Sequence, residues 1–421
     1  MRRAQAYSFR APRPASLRAI LRLAMTTARA PLDPAAIHRD TDALAPLLRD
    51  IAARIHAHPE LRFEEHRAAA WLAEAVEAEG IAVERGTGGL PTAFRARVGD
   101  GDGPRVAILA EYDALPEIGH ACGHNLIAAG ALGAFLALAR QRGSIRGSVE
   151  LIGTPAEEGG GGKIRLLEAG VFEGLTAAMM FHPLDRDVLV QPTLANQWLR
   201  LHFSGVPSHA AMAPWDGKSA LTAAMQTFHL IDAQRIHLRD GVRVHGIIVD
   251  GGQAVNIIPE RAVAEFSVRA PELEELERAR AIVERCARGA AMACGVEVRI
   301  ESHGGYKELR HNLPLARRFG EHLATLGRTA PEIDPTLKTG STDMGDVSHA
   351  LPAIHPGIAI CDLGETTCHQ RPFAAYAASD RGAEAMIVAA RALALTAADV
   401  LADEALREAM TRAFRSTNRA R

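Results

Sequence analysis

The segment His120-Ala121-Cys122-Gly123-His124 brings a thiol and two imidazoles together within one short stretch. Thiolate and imidazole are good ligands for zinc and its transition-metal neighbours. Gly123, between Cys122 and His124, lets the backbone come close to a bound ion. Alone, a Cys-Gly-His triplet is better read as a buried structural cysteine beside a surface histidine. Three further groups change its weight: the adjacent acids Glu157 and Glu158, then His182, then His369. Each follows an apolar run that reads as a strand. Val106 to Ala110 precedes Cys122, Val149 to Ile152 precedes the Glu pair, Ala177 to Phe181 precedes His182, and Ile354 to Ile360 precedes His369. Open α/β sheets build their sites at the carboxyl ends of strands. A metal needs ligands that converge from separate segments, and this spacing supplies them.

The elements that must position these groups alternate. Apolar residues at helical spacing from Ile37 to Ile55 predict a helix from Asp33 to His58, bent by Pro46 and stopped by Pro59. A second helix is expected from Glu64 to Glu79, a buried one from Gly130 to Arg140, and a short one from Ile164 to Ala169. Strands alternating with helices imply an α/β catalytic domain with a largely parallel sheet flanked by helices. Near Gln197 the rhythm changes. A strand at Leu199–Phe203, a helix from Ser219, strands at 244–249 and 262–268, a helix over 273–292 and a strand at 296–300 give the order β-α-β-β-α-β. That is a smaller inserted α+β domain with helices on one face of its sheet. The expected boundaries are 33–196 and 306–421 for the first domain and 197–305 for the second. Residues 1–32, Arg-rich and without acids until Asp33, read as an over-extended or disordered start with Met25 as an alternative initiator; a transit peptide is the other reading.

Composition narrows the function classes. A net charge of −2 over 421 residues gives no reason to expect nucleic acid or an anionic membrane as a partner. No uninterrupted apolar run reaches the roughly 18 residues that span a bilayer. The five cysteines, Cys122, Cys286, Cys294, Cys361 and Cys368, are an odd and sparse set that suits a reducing cytoplasm. The glycines 159–162 before Lys163 fail the phosphate-loop pattern: Glu157 stands where the first glycine belongs and Ile164 where Ser or Thr is needed. A dinucleotide-binding fingerprint is also absent.

Taken together, Ala110-Glu111-Tyr112-Asp113-Ala114-Leu115-Pro116, Gly119 to Asn125, Thr154 to Gly159, Phe181-His182-Pro183, Ser208-His209-Ala210-Ala211, Gly251 to Pro259 and Ser341-Thr342-Asp343-Met344-Gly345 resemble the metal-dependent aminoacylase and carboxypeptidase family. The likeness is strongest to the amidohydrolase branch of p-aminobenzoyl-glutamate hydrolase, auxin-conjugate hydrolases and dipeptidase-like aminoacylases, and it covers about residues 35–400 in the family's order.

The resemblance implies a site with two divalent ions, zinc or manganese. Cys122 would bridge them, His124 and His182 would complete one, and Glu158 and His369 the other. Two ions can polarise the scissile carbonyl and lower the pKa of a shared water. In extended backbone Glu157 and Glu158 would point to opposite faces. That suits Glu158 as ligand and Glu157 as general base and then proton donor to the leaving amine. Asp113 would orient a ligand histidine. The inserted domain would be a lid and dimerisation domain, with His209 and Asn256 binding the substrate or its oxyanion, and His209 crossing to the partner's site in a homodimer. The expected substrates are N-acyl amino acids, aminobenzoyl-glutamate-like conjugates or dipeptides. One departure stands out: His369 lies in Thr367-Cys368-His369-Gln370-Arg371-Pro372-Phe373, where much of the family has His-Ser-Pro-Glu-Phe. The alternative is a metal-binding or scaffold relative that has lost catalysis. Such a chain has no need of a free Glu157 beside Glu158.

Overall fold

The computed structural model describes residues 31–419 apart from 101, 338 and 339. The expectations about the first thirty residues, including Met25, lie outside the described residues. Helix α1 (Pro34–Ala57) begins where Asp33 accepts the Ala35 N–H at 2.9 Å, with Pro34 at a first-turn position that needs no donor. Ile37, Leu44, Leu48, Ile51 and Ile55 bury one face, and Pro46 sits inside the helix without ending it. Helix α2 (His66–Ala78) leads to strands β1 (Val83–Arg85), β2 (Phe94–Gly99) and β3 (Arg105–Ala110). Helix α3 (His124–Ala139) is buried on every face, packed against α1 and β3. It starts at His124, six residues before the expected Gly130, so this histidine belongs to a helix and not to a loop. There follow β4 (Ser148–Gly153), α4 (Gly162–Glu168), β5 (Ala177–Met179) and β6 (His182–Leu184).

The main sheet has the order β1-β2-β4-β3-β5-β11, where β11 is Ala353–Ile354. β3 pairs in parallel with β4 and β5, and β5 with β11; β1 and β2 run antiparallel at one edge. The run expected as one strand from Ile354 to Ile360 is two strands. β11 ends at Ile354, and β12 (Gly357–Ala359) pairs with β6 in a separate two-stranded sheet. Pro356, which has no N–H to give to a ladder, lies at the break. The run from Ala177 to Phe181 is shorter than expected as a strand: β5 ends at Met179 and β6 opens at His182, whose ring lies beside that of His355, their centroids 5.3 Å apart.

A second sheet, β10-β7-β9-β8, is antiparallel throughout. Its strands are β7 (Ala195–Ser204), β8 (Arg243–Asp250), β9 (Arg261–Ala270) and β10 (Glu297–Tyr306). Helices α5 (Ala220–Gln234) and α6 (Leu273–Cys294) pack on one face. It has its own core, including Leu199, Leu201, Phe203, Phe266 and Val283. Helices α7 (Leu313–Thr325), α8 (Met344–Ala350), α9 (Arg371–Ala377), α10 (Asp380–Ala402) and α11 (Glu404–Arg419) complete the chain. By length and composition α10 is apolar enough to cross a bilayer, a property the run-length reading missed because Arg391 and Asp399 interrupt it. Most of that stretch is buried in the core, against α1, α3 and α7.

Candidate active site and metal centre

Cys122 precedes α3 in a loop after β3, Glu157 and Glu158 follow β4, His182 opens β6, and His369 precedes α9. The structure brings all five, with His124, to one cavity region. Gly123 holds the turn between Cys122 and His124 at φ +80°, and a Cβ there would come within 2.8 Å of Pro183. Only glycine fits both demands. The Cys122 sulfur is 3.5 Å from His182 Nε2, and Glu158 Oε1 is 3.1 Å from His369 Nε2. Two donor groups have all their ligand atoms within 4.8 Å of one another: Cys122 with His124 and His182, and Cys122 with Glu158 and His369. Cys122 is common to both. His120 is not part of them; its ring lies 6.1 Å from that of His56.

The adjacent acids do not diverge as extended backbone would require. Ala156 has φ of 60° and residues 157–160 form a turn, so Glu157 shares a third close group with His124 and Glu158. Both carboxyl groups therefore face the same centre. Tyr306, the last residue of β10, fixes that turn: its hydroxyl donates to the Glu157 carbonyl at 2.7 Å and accepts the Gly159 N–H at 3.1 Å.

Asp113 is buried and serves two partners. One oxygen lies 3.1 Å from His124 Nδ1 and the other accepts the Glu158 N–H at 2.9 Å. With Nδ1 so engaged, His124 points Nε2 into the centre, where that buried atom lies 3.6 Å from Glu111 Oε2 and makes no hydrogen bond. An orphaned buried imidazole nitrogen is rare in a folded protein. Beside a thiol, a second imidazole and a carboxylate, it fits a resident divalent cation of the zinc or manganese kind.

Electrostatics separates the two acids. Burial, then the charges of Glu111, Glu158 and Asp343, push Glu157 well above the usual carboxylate range. Burial also opposes charge on Glu158, but the His369 hydrogen bond and the charge of His124 outweigh it and hold that carboxyl low. Paired carboxyls whose surroundings push their proton affinities apart are a recurring pattern in acid–base sites.

Beneath Glu157 lies a network absent from the expected site. Lys163 is fully buried between Glu111 and Asp343: Nζ pairs with Glu111 Oε1 and lies 2.8 Å from Asp343 Oδ1, and the Lys163 N–H donates to Asp343 Oδ2 at 2.9 Å. Glu111, Glu157 and Asp343 form a close group of their own. One signal was available: the chain has four lysines among 48 basic residues, and one follows the Glu pair and its glycines. His355 is the other addition. It is 2% exposed, lines the cavity, and has both ring nitrogens without a protein partner.

The cavity, about 510 Å³, opens between the two sheets, with Asn196, Trp198 and Arg269 of the second domain on its wall. His209 and Asn256 are not on that wall. They sit together on the exposed side of the second domain, where the Ala210 N–H donates to the Asn256 carbonyl at 3.0 Å and His209 Nδ1 accepts the Ala211 and Met212 N–H groups at 3.2 Å.

Residues 196–292 match the peptidase dimerisation domain of the M20 family. The chain is 39% identical over 390 residues to a Mus musculus Xaa-Arg dipeptidase, covering 89% of this chain and 90% of that one. It is 30% identical over 432 residues to a p-aminobenzoyl-glutamate hydrolase polypeptide of Escherichia coli, covering 85% and 89%. A solved structure of a dinuclear metal binding peptidase of the M20 family from Bacillus subtilis superposes with a TM-score of 0.68 at 24% identity, covering 86% of this chain and 99% of that one. The fold and the site thus define an amide-bond hydrolase built from a catalytic α/β domain and a dimerisation domain. The chain belongs to the M20 peptidase family.

Proposed function

We propose that this chain hydrolyses the amide bond of a dipeptide, an N-acyl amino acid or an aminobenzoyl-glutamate-like conjugate, in a centre that holds two divalent ions, zinc or manganese. The observation that carries the reading is the pair of donor groups that share Cys122. Cys122, His124 and His182 would hold one ion, and Cys122, Glu158 and His369 the other. Such ions supply a Lewis acid for the carbonyl and an acidified water.

The chain's own residues do the rest. Asp113 keeps the His124 ring and the Glu158 backbone in register. Glu157, with its high proton affinity, takes the proton of the attacking water and delivers it to the leaving amine nitrogen. The tilt towards dipeptides and aminobenzoyl-glutamate comes from the relatives' names, Xaa-Arg dipeptidase and p-aminobenzoyl-glutamate hydrolase.

His209 and Asn256 do not line the cavity; they would reach a substrate from a partner subunit, in a homodimer through the second domain. β8 is an edge strand with Ile247, Ile248 and Val249 exposed, and Met212, Trp215, Val255 and Ile257 are exposed around His209. Uncovered apolar edges are natural pairing surfaces. The sparse cysteines suit a cytoplasmic setting. A hydrolysis screen of zinc- or manganese-loaded protein against dipeptides with basic C-terminal residues, N-acyl amino acids and aminobenzoyl-glutamate tests the reading. Turnover of one class supports it, and metal-loaded protein inert to all of them favours the inactive relative.

A further inference from the structure

The loops carrying Cys122 and Cys368 are tied to each other. The His369 N–H donates to the Ala121 carbonyl at 2.8 Å, which sets the two cysteines side by side on facing segments. Both sulfurs pack against the segment His182-Pro183, that of Cys122 at 3.5 Å from His182 Nε2. The Cys368 sulfur lies 3.8 Å from the Pro183 carbonyl, and both cysteines line the cavity. Cys122 is buried and Cys368 is half-buried. The remaining cysteines lie elsewhere: Cys286 and Cys294 are on α6, and Cys361 is covered, its sulfur 3.8 Å from the Thr366 carbonyl.

We propose that Cys122 and Cys368 form an oxidation site, at which a hydroperoxide closes a disulfide and withdraws the sulfur common to both donor groups. The Cys368 sulfur attacks the peroxide oxygen, the O–O bond breaks, and Cys368 becomes a sulfenic acid while hydrogen peroxide leaves as water. The Cys122 sulfur then attacks the Cys368 sulfur. The S–S bond forms, the S–O bond breaks, and the hydroxyl departs as a second water, its proton coming from the Cys122 thiol or, when Cys122 is a metal-bound thiolate, from solvent. Two thiols are oxidised and one peroxide is reduced. A dithiol reductant reverses the step by exchange. The thiolate is the ligating form of cysteine, so the disulfide has no charged sulfur for a cation. The loss of metal rests on the functional reading above; the bond itself does not.

The test treats zinc-loaded full-length protein with hydrogen peroxide and follows two signals: zinc released, and the unreduced peptide in which Cys122 and Cys368 are joined, read by mass spectrometry. The expected result is that the joined peptide and the released zinc rise together, and that dithiothreitol followed by zinc reverses both. Cys368→Ser protein should form no link and release zinc several-fold more slowly. Two results would overturn the proposal: Cys122 and Cys368 recovered separately, as thiols or sulfinic acids, while zinc is lost; or zinc leaving Cys368→Ser protein as fast as wild type. Zinc content before peroxide tests the metal reading on its own, because the link is expected with or without the ion.

Discussion

Glu157 and Glu158 are chain neighbours with opposite proton affinities, and the cause is what surrounds each one. Glu158 meets His369 and His124; Glu157 meets Glu111 and Asp343. Glu157→Gln should therefore keep the metals and lose turnover by about 10²–10⁴-fold, the usual worth of general acid–base help. Metal analysis beside steady-state rates checks this, and a variant that turns over at the wild-type rate contradicts the assignment. Lys163 places one ammonium between the Glu111 and Asp343 carboxylates, and all three side chains are fully buried. Removing one member of a buried ion network leaves uncompensated charge and costs about 3–5 kcal/mol. Lys163→Met should lower the urea midpoint accordingly; an unchanged midpoint would show that the network is not holding these acids. At this scale the ligand candidates were legible, because cysteine, histidine and paired acids after strands are a chemical pattern. Glu111, Lys163, Asp343 and His355 were not. Their meaning lies in contacts between segments far apart in the chain, which residue type and local spacing do not encode.

Most elements were legible because each buries a face with its own period. The exceptions are instructive. α3 begins at His124 because Gly123 turns the chain in the left-handed region; the Ala- and Leu-rich run from Gly130 marked only the helix's middle. The strand after Ile354 is split at His355-Pro356, and the separate β6–β12 sheet depends on pairing between distant segments. The two domains also meet at a particular carboxylate. Glu308 accepts the N–H of Leu273, the first residue of α6, at 2.9 Å, and it pairs with Arg310 at 2.9 Å and His349 at 3.4 Å. Burial would raise the Glu308 carboxyl, but the His349 hydrogen bond and charge, with Arg310, hold it at about 2 against an ordinary 4.5. A depressed acid stabilises the fold fully above its unfolded value, and that contribution is lost as pH falls through the folded value. The stability difference between wild type and Glu308→Gln should thus shrink as pH falls from 4.5 to about 2. Urea midpoints across that range measure it. A difference that grows towards acid would reverse the sign of the argument.

At the scale of the whole molecule, the cavity is walled by both domains, yet His209 and Asn256 do not line it. An account with His209 at the substrate requires a second copy. Mixing inactive His209→Ala with inactive Glu157→Gln under subunit exchange should restore activity, since a mixed dimer then has one site with both wild-type groups. Proven exchange without recovery excludes the crossing. In the proposed centre one sulfur, that of Cys122, would serve two cations. The most direct measurement of that claim is metal content per subunit, with turnover followed on the same samples, for wild type and Cys122→Ser after chelation and reloading with zinc. The account predicts two ions in the reloaded wild type, activity that returns with them, and a Cys122→Ser protein short of metal and nearly inactive. Full turnover in chelated protein, or two ions retained without the Cys122 sulfur, would contradict it.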